Sequence, residues 1–260
     1  MKRGLEMRGF MEGLQLSCVC YAEACLDFLI PRTCIVCGRK LLKDEKHLCL
    51  HCRADLPQTL YWERPHNPMA DRFNELIQKS IEQKWRSEEY AFACPLMFYD
   101  SKGKYRQIPY SIKYKGNIPA GRHFGEILGK RLVQAAHFKS VDMVIPVPLH
   151  WTRRWKRGYN QAEIIAESIA QILGVPMLTD VLIRNKRTVT QTRLEIEEKA
   201  LNVAGAFSIN PTSRTDVRHI LLVDDIFTTG STLMACFNAL REVFPPSVRI
   251  SVATLGFVGE

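Results

Sequence analysis

The sequence contains no run of about 18 uninterrupted apolar residues, the length a helical membrane span needs, and no internal repeat or low-complexity tract. Lys2, Arg3 and Arg8 give the start a basic character, but Glu12, Glu23 and Asp27 interrupt the apolar stretch a signal peptide requires. A cytoplasmic protein without a membrane span is therefore expected. Acidic residues are the minority, 27 against 36 basic, and the net charge of +9 calls for an anionic partner or substrate. A nucleotide loop of the Walker type is missing. GEILGKR, from Gly125 to Arg131, has neither the spacing, nor a hydroxyl residue after the lysine, nor a preceding strand.

What is present is a globular composition, 46% hydrophobic and 24% charged over 260 residues, enough for one sizeable domain and a small appendage. Nine cysteines in a cytosolic chain read as metal ligands or buried apolar residues rather than disulfides. Four fall into two CxxC knuckles, Cys34 with Cys37 and Cys49 with Cys52, separated by a short spacer. Each knuckle supplies two thiolates to one edge of a tetrahedron, so the four together predict a zinc site. With four protein ligands the metal has no open position, and the zinc is structural. Gly38 suits the tight turn after the first knuckle, and His47 and His51 are not needed as ligands. Cys18 and Cys25 would share one face of a helix and are expected to pack as small hydrophobes.

The chain divides, in this reading, into an N-terminal helical extension (1–30), a zinc-binding module (31–60), a connector (61–90) with a short helix near Phe73 to Ile81, and a main domain (91–260). Within the main domain Ala91 to Tyr99, Val141 to Pro148, Val181 to Ile183, Ile220 to Val223 and Val248 to Leu255 read as strands, most as continuous apolar runs. Helical spacing appears between them, over residues 119–136 and from Ala162 to Leu173, where Gly174 provides the stop. Alternating strands and helices predict an α/β fold, a parallel sheet with flanking helices whose ligand lies at the carboxyl ends of the strands.

One stretch carries more chemistry than any other. His219 to Leu233 reads HILLVDDIFTTGSTL: a buried strand, two carboxylates at its end, a hydroxyl-rich loop around Gly230, and the start of a helix. Backbone N–H groups at a helix N-terminus are unpaired and partly positive, so the loop can hold a phosphate, with the Thr and Ser hydroxyls donating further bonds. Two carboxylates beside a phosphate would repel it unless they accept from sugar hydroxyls or orient Mg²⁺ through water. The arrangement asks for a ribose 5-phosphate.

VDDIFTTGST resembles the phosphoribosyl-pyrophosphate (PRPP) loop of the type I phosphoribosyltransferases. The resemblance implies that Asp224 and Asp225 bind the ribose hydroxyls, with Mg²⁺ accompanying PRPP, and that Thr228, Thr229, Gly230, Ser231 and Thr232 bind the 5-phosphate. Together with PVPLHWTRRWKRGYNQA, RNKRTVTQT, LNVAGAF and the double-CxxC head, the motifs are similar to the ComF family of competence-related, phosphoribosyltransferase-like proteins. By order along the chain, Val147 to Arg157 would be the pyrophosphate loop and Arg184 to Thr192 a mobile cover. Arg153, Arg157, Lys186 and Arg187 are the candidates for holding pyrophosphate or another anion.

The ComF resemblance implies a role in DNA uptake during natural transformation, beside a DNA-translocating helicase and with PRPP or a related ribose phosphate bound. Single-stranded DNA is a further candidate partner. Trp151, Trp155, Tyr159, Tyr105, Tyr110 and Tyr114 lie among basic residues, a mixture that suits stacked bases and tracked phosphates. The alternative is an active phosphoribosyltransferase that passes the ribose 5-phosphate of PRPP to a nucleophile and releases pyrophosphate, its charge neutralised by the same cations. No stretch marks a nucleobase pocket, and no N-terminal cysteine offers a glutaminase nucleophile.

Overall fold

A computed structural model describes residues 31–81, 87–185, 206–210 and 217–259. The expected N-terminal helix, with Cys18, Cys20 and Cys25, lies outside the described residues, as do Lys186, Arg187 and most of the predicted cover. The chain forms two compact units that divide between Asp55 and Leu56. Among the described residues no helix is long and apolar enough to cross a membrane.

In the smaller unit the first knuckle is a tight turn pinned by an isolated antiparallel bridge between Thr33 and Lys40. Gly38 takes the left-handed conformation there (φ 73°) and its N–H donates to the Cys34 carbonyl at 2.9 Å. The second knuckle opens a one-turn helix, α1 (Leu50–Ala54). The Glu45 carboxylate joins the halves by accepting from the Leu42 and Leu50 N–H groups, at 2.7 and 2.6 Å.

The larger unit is built on a four-stranded parallel sheet of β1 (Ala93–Phe98), β2 (Met143–Pro146), β5 (His219–Phe227) and β6 (Arg249–Phe257), in the order β1-β6-β5-β2. The two long strands are central and pair from His219 with Arg249 through Phe227 with Phe257. Alternate side chains leave on opposite faces of a strand. Met143, Ile145, Ile220, Leu222, Ile250 and Val252 join one core with residues of α2 (Pro68–Ile81) and α7 (Ser231–Leu240). The other face is covered by α4 (Ile118–Gln134) and α6 (Gln161–Leu173). Covering on both sides explains why the strands read as unbroken apolar runs. Two short helices complete the unit, α3 (Gln107–Tyr114) and α5 (Trp151–Arg157).

The glycines of GEILGKR serve this packing. A Cβ at Gly125 would stand 2.9 Å from the Ile165 carbonyl oxygen, and one at Gly129 would stand 3.0 Å from Ile172 Cβ. They let α4 lie directly against α6, and no loop forms there.

Four sequence expectations change. Residues 61–90 hold more than a connector, because α2 begins at Pro68 and buries Met69, Phe73 and Ile77, one face of the helix, in the core. The strand near Val181 is β3 (Leu182–Arg184), which leaves the parallel sheet and pairs antiparallel with β4 (Phe207–Ile209). Ile183 is exposed and Leu182 buried, the alternation of a strand covered on one side only. The expected pyrophosphate loop is a loop only as far as His150. Trp151 to Arg157 is the helix α5, started by the His150 side chain, which accepts from the Thr152 N–H, and ended by Gly158 at φ 83°. Finally, β5 does not stop at Val223 but carries both acids within it, since its partner β6 continues alongside to Phe257.

Candidate phosphoribosyl site and four-cysteine centre

The four knuckle cysteines converge, their sulfurs all within 4.8 Å of one another, and Cys37 Sγ stands 3.7 Å from Cys49 Sγ. Tetrahedral thiolates with Zn–S bonds of about 2.3 Å have sulfurs about 3.8 Å apart, so the cluster has the dimensions of a zinc site. Burial alone would raise the Cys34 pKa, but the N–H groups of Cys37, Cys49 and Val36 point at its sulfur and bring it down to about 7. Cys52 is shifted the opposite way, by burial and by the neighbouring sulfurs. Four sulfurs this close are able to hold a metal ion such as zinc, and loading it releases thiol protons.

In the larger unit, the strand-to-helix corner after β5 turns on Gly230. Its φ of 78° is left-handed, and it occupies the N-cap position of α7. Thr229 and Ser231 share a hydroxyl hydrogen bond at 2.8 Å, Thr228 is exposed, and Ser231 and Thr232 are half-buried. The first intrahelical bond runs from the Met234 N–H to the Gly230 carbonyl at 2.8 Å. The N–H groups before it belong to the first turn, where a helix has no partner of its own to offer. All five predicted loop residues therefore stand on one corner, directly after the acid pair.

The Asp225 N–H donates to Asp224 Oδ1 at 2.8 Å, and the two side chains also interact. Asp225 is buried and Asp224 half-buried. Desolvation, reinforced by the Asp225 carboxylate, pushes the Asp224 pKa up to about 7.

Two cations absent from the predicted site meet these acids. Lys113, on α3, brings its Nζ to 2.5 Å from Asp225 Oδ2. Burial disfavours its ammonium, but the two carboxylates outweigh that and hold its pKa above the ordinary lysine value. On the other side Arg184, on β3, is close enough to feel Asp224 as well as Arg153. Burial and then the Arg153 charge lower its pKa, while Asp224 opposes that shift. The only sequence signal for Lys113 was a basic, tyrosine-containing run, while Arg184 stood at the start of the expected cover without an acid assigned to it.

The predicted cations divide. Arg153 lies within electrostatic reach of Arg184. The Arg157 guanidinium stands 5.4 Å from the Tyr114 ring centroid and donates to Gln161 Oε1. It thus neighbours the residue next to Lys113. Arg154 turns instead to Glu163, at 2.6 Å. Lys186 and Arg187 lie outside the described residues. Among the aromatics, Trp151 and Trp155 are 70% and 88% exposed and, four residues apart, share one face of α5. Tyr159 is committed to structure, its hydroxyl donating to the Ile112 carbonyl.

Comparison with known proteins gives this geometry a context. Residues 160–255 match the family described as phosphoribosyl transferase domain. Competence protein F of Haemophilus influenzae is 35% identical over 113 residues, 43% of this chain and 49% of that protein. The chain is similar to competence protein F, and part of it is similar to phosphoribosyl transferase domains. The DNA utilization protein YhgH of Escherichia coli O157:H7 is 33% identical over 92 residues, 35% of this chain and 40% of that one. The chain thus spans about half the length, or less, of the curated relatives it matches. Among solved structures, a glutamine PRPP amidotransferase from B. subtilis complexed with ADP and GMP is similar at 22% identity and a TM-score of 0.33, over 52% of this chain and 26% of that one. The ComF resemblance drawn from the motifs is borne out, and so is the α/β fold with a four-cysteine cluster ahead of it.

Proposed function

We propose that this chain binds PRPP or a related 5-phosphorylated ribose and serves DNA uptake in natural transformation, in the cytoplasm, with a DNA-translocating helicase as partner. The observation that carries the first part is the corner itself: Asp224 and Asp225 on β5 lead at once into a hydroxyl-lined loop pivoting on Gly230. The 5-phosphate sits against the N–H groups and hydroxyls of Thr228 to Thr232, where a helix N-terminus favours anions. The ribose hydroxyls donate to the acids. Mg²⁺ would neutralise the pyrophosphate of PRPP when bound, and the half-buried Asp224 carboxylate is the oxygen donor that would reach it through water. Arg153, Arg157 and Arg184 supply positive charge for the anion, and Lys186 and Arg187, outside the described residues, remain candidates for the same role. Calorimetric titration with PRPP, ribose 5-phosphate and pyrophosphate tests the reading. The first two are expected to bind more tightly than pyrophosphate, and binding of pyrophosphate alone would contradict it.

The second part, the DNA role, rests on kinship with competence protein F and on one surface. Trp151 and Trp155 stand outward on α5 among Arg153, Arg154, Lys156 and Arg157. Bases can stack on the indoles while the cations follow the phosphates of a single strand. The cysteine centre holds structural zinc in this reading.

A transferase reading is favoured by one observation, Arg184 lying within electrostatic reach of both Asp224 and Arg153. Positive charge gathered there would stabilise departing pyrophosphate once a nucleophile attacks the ribose. Pyrophosphate release, assayed with nucleobases, ammonia and glutamine as acceptors, separates a transferase from a binding module.

A further inference from the structure

Two adjacent carboxylates beside a phosphate cradle pose an electrostatic problem, because each repels the anion the loop is shaped to hold. The usual remedy is a divalent cation. This chain carries another, supplied by its own α3. Lys113 Nζ stands 2.5 Å from Asp225 Oδ2, with the lysine side chain only 24% exposed and the aspartate side chain 8%. A pair this close and this sheltered is screened far less than a surface ion pair.

The ammonium is also held in place. Ile108, Pro109, Ser111 and Ile112 of α3 are buried. The Tyr159 hydroxyl, just ahead of α6, donates to the Ile112 carbonyl. Lys113 lies in the last turn of its helix, where the partly negative carbonyl ends favour a cation. A hydrated Mg²⁺ approaching Asp225 would meet a site already filled by a fixed positive charge. Asp224 beside it is half-buried.

We infer that Lys113 is the internal counter-ion of the acid pair, standing where a divalent cation would otherwise be needed, so that a 5-phosphorylated ribose without a pyrophosphate binds here without Mg²⁺. This rests on the reading of the corner as a phosphoribosyl site. It assigns the site a ligand class: ribose phosphates that bring no metal of their own, as well as Mg²⁺-PRPP.

The test is calorimetric titration of ribose 5-phosphate into the full chain, once in EDTA and once in excess Mg²⁺, for the wild type, Lys113→Met and Lys113→Arg. The wild type is expected to bind equally well in both buffers. Lys113→Met is expected to bind about tenfold more weakly in EDTA, the scale of one charge-assisted interaction, and to recover in Mg²⁺. Lys113→Arg is expected to stay metal-independent. A loss in Lys113→Met that is the same in both buffers would mean a merely structural pair and would overturn the inference. So would a variant that binds like the wild type in EDTA. Wild-type binding that requires Mg²⁺ overturns it without any variant, which keeps the test decisive if Lys113→Met does not fold. Absence of wild-type binding in either buffer overturns both the inference and the phosphoribosyl reading beneath it.

Discussion

A Cβ placed on Gly230 would stand 2.7 Å from Leu76 Cδ1, so the pivot of the β5–α7 corner is packed against helix α2. Phe227 crowds the same point, its Cζ also at 2.7 Å. The glycine is required twice, for its left-handed φ and for its missing side chain.

Gly230→Ala is therefore expected to destabilise the larger unit by about 2–4 kcal/mol, combining left-handed strain with overpacking. Urea unfolding measures it. Adding Leu76→Ala should return part of the steric component but none of the backbone strain. A cost below about 0.5 kcal/mol would place the variant among neutral surface changes and contradict the close packing.

Asp224 gives the protein a pH signature. Its pKa is about 7 in the folded state against 3.8 for an ordinary aspartate. Between those values the folded protein holds a proton that the unfolded chain releases, so this residue makes stability fall as pH rises through the window. Above about pH 7 the effect levels off. Thermal melts across that range should show the decline in the wild type and a flatter profile in Asp224→Asn. Ribose-phosphate affinity is expected to run the other way, rising towards pH 7 as the carboxylate becomes an acceptor. Parallel profiles for the wild type and Asp224→Asn would contradict the assignment.

Much of this was readable from local pattern. The β5 stretch and the CxxC knuckles are contiguous, and their chemistry follows from spacing alone. The pairing of Lys113 and Arg184 with the acids was not readable, because each reaches an acid far along the chain and only the folded sheet brings them together. Tertiary packing also decided α2: Met69, Phe73 and Ile77 repeat every four residues among charged neighbours, a stripe easily taken for a polar linker. The segment Trp151 to Arg157 misled for the opposite reason. It buries no residue, so it has no apolar periodicity, and its helix is defined by the His150 cap and the Gly158 stop.

The cysteine centre predicts about one equivalent of zinc in protein purified without chelator. Cys34→Ser or Cys49→Ser should lose the metal and destabilise the module that contains it. Elemental analysis together with limited proteolysis reads both effects. Metal-free wild-type protein would contradict the four-thiolate assignment.

The α5 surface predicts sequence-tolerant binding of single-stranded DNA that weakens with salt, by roughly 0.7 log units per phosphate neutralised for each tenfold rise. Trp155→Ala should weaken binding by about 1–3 kcal/mol with little change in salt slope. Fluorescence anisotropy at several salt concentrations checks both. An unchanged affinity in Trp155→Ala would remove base stacking from this face.

The central claim, that the β5–α7 corner holds a phosphorylated ribose through its two acids, is tested most directly by the thermal shift that Mg²⁺-PRPP produces. A ligand bound only by the native state raises the melting temperature. The wild type should show that rise, and Asp224→Asn/Asp225→Asn should fold, by circular dichroism, yet show none. An equal rise in the double variant would contradict the account.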